Sequence, residues 1–156
     1  MTGFNGWMPV SPDRLARNLY RAGVLFAVGS AVHLFDHLRR GQGSITEGLY
    51  WAGNLALIVQ VTVIVLILTR HRLAPVAAMA GGFPLALGFL AAHWLPQWSA
   101  LSDPVWEIRS WTALSYAASS LEIIGALAVG ICGLAMVRRD GLESYASPSS
   151  GDAQPA

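Results

Sequence analysis

The chain reads as an all-α, polytopic membrane protein: a four-transmembrane-helix, up-down-up-down bundle with both termini in the cytoplasm (N-in/C-in). Three observations lead there. The composition is too apolar for a water-facing surface, four long apolar runs are separated by short polar breaks, and the arginines gather on one side of the resulting topology.

Of 156 residues, 54% are hydrophobic and only 12% charged, with a mean hydropathy of +0.48. A soluble domain carries about a quarter of its residues charged, because its surface must be solvated. The formal net charge is +1 and the ten basic residues, all arginine, are dispersed in small groups. Nucleic acid is therefore not an expected partner, since phosphate binding needs a concentrated basic surface. Cys132 is the single cysteine, which excludes an intramolecular disulfide and any CxxC redox or zinc motif.

Residues 1–13 hold Gly3, Gly6, Pro9 and Pro12 and are expected to be a flexible tail. The first helix, about 14–38, is the least apolar, interrupted by Arg21, Ser30, His33, Asp36 and His37. No small-x-small cleavage site follows it, so it reads as a retained helix and not as a signal peptide. Gly41 and Gly43 mark a turn before the second helix, about 48–70, whose Leu, Ile and Val run is long enough for a hydrocarbon core of about 30 Å. Arg70, His71 and Arg72 make a tight turn. The third helix, about 73–95, carries Gly81, Gly82, Pro84 and Gly88, which membrane helices tolerate where neighbours pack closely. Gly23, Ala27, Ala77, Gly81, Gly88, Gly125 and Gly133 read as such packing surfaces. Pro96 to Glu107 is an ordered or interfacial loop. The fourth helix, about 108–138, is expected to stop at Arg138, Arg139 and Asp140, and 140–156 to form a disordered tail. Residues 14–139 are thus one transmembrane domain.

Orientation follows from arginine placement. Arg14, Arg17, Arg21, Arg70, Arg72, Arg138 and Arg139 fall on one side, and Arg39, Arg40 and Arg109 on the other. Basic residues in short loops stay in the cytoplasm, which predicts a multi-pass protein of the plasma (inner) membrane. Tyr50, Trp51, Trp94, Trp98, Trp106 and Trp111 fall near the outer boundary, where aromatic rings settle at headgroups.

Ionisable groups at membrane depth are costly and mark the place to look for function. His33, Asp36 and His37 share one face at the outer end of the first helix, since positions three and four apart are neighbours on a helix. Glu47 and Asn54 lie seven apart on the second helix, and His93 is two residues from the outer end of the third. In an up-down-up-down bundle the outer ends are level, so His33, Asp36, His37, Glu47 and His93 are candidates for one outward-facing pocket. His33, His37 and His93 are its candidate metal ligands. Imidazoles with a carboxylate suit zinc, copper or iron, and two imidazoles from opposed helices suit a haem. The plainer reading is that these groups mark where the helix leaves lipid, with Asp36 paired to Arg39 or Arg40.

Glu122 lies near mid-membrane on the fourth helix, on one face with Trp111, Ser115 and Ser119 that is expected to point inward; Gln60 has similar depth and Ser30 is slightly shallower. A protonated Glu122 hydrogen-bonded to Gln60 or Ser30 is the low-cost structural solution, and a proton or cation relay the functional one. No motif of a characterised family stands out. The gross plan, four short-looped helices with a basic turn after the second, is similar to that of small quinone-linked or DoxX-like membrane proteins, which implies architecture only. The expected function is a binding protein or membrane subunit whose outer pocket takes a metal, haem or lipophilic ligand. The alternative is a proton-coupled carrier using Glu122. No nucleophile or motif marks an enzyme. The bilayer, a second copy of the chain and a larger membrane complex are the expected partners.

Overall fold

A computed structural model describes residues 11–41, 45–105 and 111–146. Residues 1–10 of the expected tail, Gly43, Trp106, Glu107, Arg109, the expected start of the fourth helix at 108 and the tail from 147 lie outside them. The described residues form four α-helices and no strands: α1 (Pro12–Arg40), α2 (Glu47–Leu68), α3 (Ala74–Trp94) and α4 (Ala113–Ala146).

Local chemistry sets the helix ends. Pro12 opens α1, where a missing N–H costs nothing, and Gly41, at φ 85°, closes it with its N–H on the His37 carbonyl. The Thr46 hydroxyl caps α2 by accepting from the Leu49 N–H at 3.1 Å. At the α2–α3 turn Arg70 adopts φ 54°, and its guanidinium lies 5.5 Å above the Tyr20 ring. Two boundaries of the fourth helix differ from those expected. It begins only at Ala113, with Trp111 and Thr112 held outside it, and it runs on through Arg138, Arg139 and Asp140 to Ala146. The charges there end the apolar stretch, but arginine is a good helix former and the backbone continues.

Each helix packs against its neighbours in sequence, and α4 closes back onto α1. The α1–α2 and α3–α4 connections share one end of the bundle, called here the upper end. Backbone approach locks α4 to α1 and α3. A Cβ placed on Gly29 would stand 2.9 Å from the Glu122 Cα, one on Gly125 2.7 Å from the Phe26 Cα, and one on Gly82 2.7 Å from the Ala126 carbonyl oxygen. Glycine permits that approach in lipid. By contrast α2 meets its neighbours through side chains: Ile67 against Gly23 and Val63 against Gly81. Gly88 departs from its expected packing role, since a Cβ there would meet nothing within 4 Å.

The distribution of polarity is inverted relative to a water-soluble bundle. Leu38, Leu55, Ile58, Leu87 and Phe35 are 59–70% exposed, whereas Asp36, Gln60, His93, Asp103, Ser119 and Glu122 are buried. Such an outer surface suits hydrocarbon. Three helical stretches, Glu47–Leu68, Ala74–Trp94 and Ala113–Gly141, are long and apolar enough to cross a membrane, which marks a multi-pass membrane protein. The less apolar α1 is not among them.

Candidate metal and ligand site

Helical periodicity stacks His33 and His37 one turn apart on the inner face of α1, with ring centroids 4.6 Å apart and the two Nε2 atoms 2.7 Å apart. His93, in the last turn of α3, reaches across the bundle to place its ring 4.8 Å from His33 and 5.9 Å from His37. One ring nitrogen from each of the three lies within 4.8 Å of the other two. His33 and His93 are buried and His37 is half-buried.

Behind the trio stand fixed partners. His33 Nδ1 is 3.3 Å from Glu122 Oε2, and neither atom has a hydrogen-bond partner among the described residues. His93 Nδ1 is 3.3 Å from the Asp103 carbonyl oxygen and 3.6 Å from its carboxylate. His37 Nδ1 lies 3.0 Å from Arg40 Nη2. Because a guanidinium only donates, His37 Nδ1 must accept, which leaves its proton on Nε2 and directs it at His33 Nε2. Below, the Gln60 amide donates to Glu122 Oε1 and lies against the Ser30 hydroxyl, which donates to the Phe26 carbonyl at 2.7 Å.

The carboxylate of Asp36 turns away from the trio to Arg39 (2.8 Å) and Arg40 (3.1 Å), the pairing that the plainer reading expects. Glu47 is exposed in the first turn of α2 and stays apart from the imidazoles. Asn54 is exposed on α2 and donates to the Tyr50 carbonyl at 2.8 Å. His71, in the opposite turn, accepts from the Leu73 N–H.

Asp103, not singled out from the sequence, and Trp111 complete the site. Asp103, buried in the α3–α4 connection, binds the fully buried Arg40 guanidinium at 2.8 Å. Trp111, expected near the outer boundary and on the inward face of Ser115, Ser119 and Glu122, is buried beneath that guanidinium at 5.0 Å and packs 5.7 Å from His93. The signal available was Asp103-Pro104, an acid fixed in an extended loop directly above the last turn of α3.

The trio, with Gln60 and Glu122, forms the polar floor of a cavity of about 480 Å³ between α1, α2 and α3. Its remaining walls are largely apolar, and Trp98 and Leu101 close its upper end. No family model, curated protein or solved structure matches this chain.

Proposed function

We propose that this protein crosses the plasma membrane four times, with both ends in the cytoplasm, and binds a divalent transition-metal ion through His33, His37 and His93. The fourth crossing is supported by the apolar outward face of α1, where Val28, Phe35 and Leu38 are 50–70% exposed.

The observation that carries the metal reading is the convergence of three imidazole nitrogens within 4.8 Å from two helices. Tetrahedral bonds of about 2.0–2.1 Å place ligand nitrogens about 3.3–3.4 Å apart, so small side-chain rotations suffice. Imidazole is a ligand for zinc, copper and iron, and three such ligands leave a position open for a further group. Glu122 and Asp103 stand behind two of the rings, as carboxylates do that orient metal-binding histidines. A cation held by Nε2 of both His33 and His37 would need both rings neutral, so protonation of either ring competes with it. A haem is less well served, because the His93 ring stands only 4.8 Å from His33 and 5.9 Å from His37, centroid to centroid, which leaves no room for a macrocycle between opposed rings.

Metal analysis of detergent-purified protein tests the reading. A stoichiometric first-row transition metal that disappears in His33→Ala and His93→Ala supports it, and absence of metal from protein dialysed against zinc, copper and iron sinks it. The second reading, a proton-coupled carrier, is favoured by the hydrogen-bonded run from Arg40 through His37 to His33, with the Glu122 carboxyl 3.3 Å beyond it. It requires pH-driven flux in liposomes that is lost in Glu122→Gln.

A further inference from the structure

Most helical glycines of this bundle fall into two groups; Gly48, whose Cβ would stand 3.3 Å from the Ala100 carbonyl oxygen, and Gly141, in open space away from the cavity lining, belong to neither. At Gly23, Gly29, Gly81, Gly82, Gly125, Gly130 and Gly133 an added Cβ would meet a neighbouring helix at 3.1 Å or closer. There the missing side chain is explained by packing. At Gly53 on α2 and Gly88 on α3 it would meet nothing within 4 Å, and both residues line the cavity. Glycine in a helix interior is destabilising relative to alanine, so two glycines that neither pack nor turn the chain point to space kept open.

What the space would hold follows from its lining. The body of the cavity is made by Leu57, Leu85, Phe89 and their apolar neighbours, and its polar side by Gln60, His33, His93 and Glu122, each at least nine-tenths buried. Both Glu122 oxygens already face protein groups, Gln60 and His33, and the nearby Arg40 is neutralised by Asp36 and Asp103. The floor therefore offers imidazole and amide groups to a hydroxyl or carbonyl head, while an anionic head would meet the Glu122 carboxyl with no free guanidinium beside it. The volume, about 480 Å³, falls within the range of about 300–1,000 Å³ typical of small-molecule pockets. At the upper end the Thr46 hydroxyl is tied to the Ala100 carbonyl, beside the closing side chains of Trp98 and Leu101. The side left without backbone locking is that of α2, whose close contacts to neighbouring glycines, at Val59, Val63 and Ile67, all lie in its lower half.

We infer that the cavity is a binding site for a neutral amphiphile drawn laterally from the bilayer, its hydrocarbon body between Gly53 and Gly88 and its hydroxyl or carbonyl head on Gln60 and the imidazoles. The inference rests on the chain being a membrane protein but not on metal binding, because the hydrocarbon part of the cavity is formed by other residues.

A fatty alcohol carrying a mid-chain diazirine, photoactivated on the full-length protein in lipid nanodiscs, tests it. Saturable labelling of Leu57, Leu85 or Phe89, competed by unlabelled fatty alcohol and reduced at least tenfold in Gly88→Phe, is the expected result. Metal content, read on the same samples, stays unchanged, so failure of the metal reading and failure of this one are distinguishable. Labelling confined to the outward-facing Leu55, Ile58 and Leu87, non-saturable and equal in Gly88→Phe, overturns the site. A fatty ammonium competing better than the alcohol overturns the neutral head. Should Gly88→Phe fail to fold, Gly53→Leu fills the cavity from the opposite wall and carries the same expectation.

Discussion

Arg40 and Asp103 form a buried ion pair, 2.8 Å between Nη2 and Oδ2, that fastens the end of α1 to the connection between α3 and α4. The Arg40 side chain is 0% exposed, and it also holds Asp36 and covers Trp111. Removing one member of such a pair strands the other without water. Arg40→Ala is therefore expected to destabilise the protein by about 3–5 kcal/mol. Arg39, whose side chain is 35% exposed, shares Asp36 but is partly solvated, and Arg39→Ala should cost no more than about 1 kcal/mol. Reversible unfolding in mixed detergent micelles measures both, and equal losses would contradict the asymmetry.

Metal affinity should grade with distance from the ion. His33→Ala removes a ligand and should abolish binding, Glu122→Gln removes only the carboxylate behind that ligand and should weaken it by roughly 10–100-fold, and Glu47→Ala should change nothing. Competition against a calibrated chelator reads all three.

Because each imidazole must be neutral to ligate, protonation of His33, His37 or His93 competes with the cation, and metal affinity should weaken as pH falls. Zinc affinity measured against a calibrated chelator in neutral and in mildly acidic buffer checks the direction. Equal affinity in the two would show that the imidazoles are not the ligands.

The two groups of glycines predict opposite responses to one methyl group. Gly82→Ala forces a Cβ to within 2.7 Å of the Ala126 carbonyl oxygen, and overpacking of this type costs about 1–3 kcal/mol. Gly88→Ala places the same methyl in open space and should be neutral or stabilising by up to about 1 kcal/mol. Thermal unfolding of the two variants side by side decides it.

For the proposed topology, His71→Cys and Gln97→Cys in a Cys132→Ala background should label from opposite sides of sealed vesicles, His71→Cys from the cytoplasmic face. Labelling from one side would exclude the four-span arrangement.

Much of the helical plan could be read from the chain because apolar run lengths and turn residues are local properties. The His33–His37 pair was equally legible, since a four-residue spacing on a helix guarantees proximity, and the common depth of Gln60 and Glu122 came from counting residues from helix ends. Rotation about the helix axis was not legible for α2. A helix apolar almost all round carries no periodic signal of which face turns inward, and so the exposure of Glu47 and Asn54 had to come from the structure. Nor could sequence foresee the burial of Asp103, a loop carboxylate that only the tertiary position of Arg40 draws inward. Trp111 was legible in part, because its spacing from Ser115, Ser119 and Glu122 sets it on the inward face. Gly88 was grouped with the packing glycines for a related reason: absence of a side chain looks the same in sequence whether a helix or a cavity fills the space.

The unequal fastening of the helices has a consequence for substitution. Helices α1, α3 and α4 meet backbone to backbone, so nearly any substitution at Gly29, Gly82 or Gly125 would disturb the whole scaffold. Cavity-facing positions on α2 such as Leu49, Ala52 and Leu57 stand under no such constraint. Substitutions along α2 can therefore reshape the cavity wall without disturbing the backbone contacts that join α4 to α1 and α3.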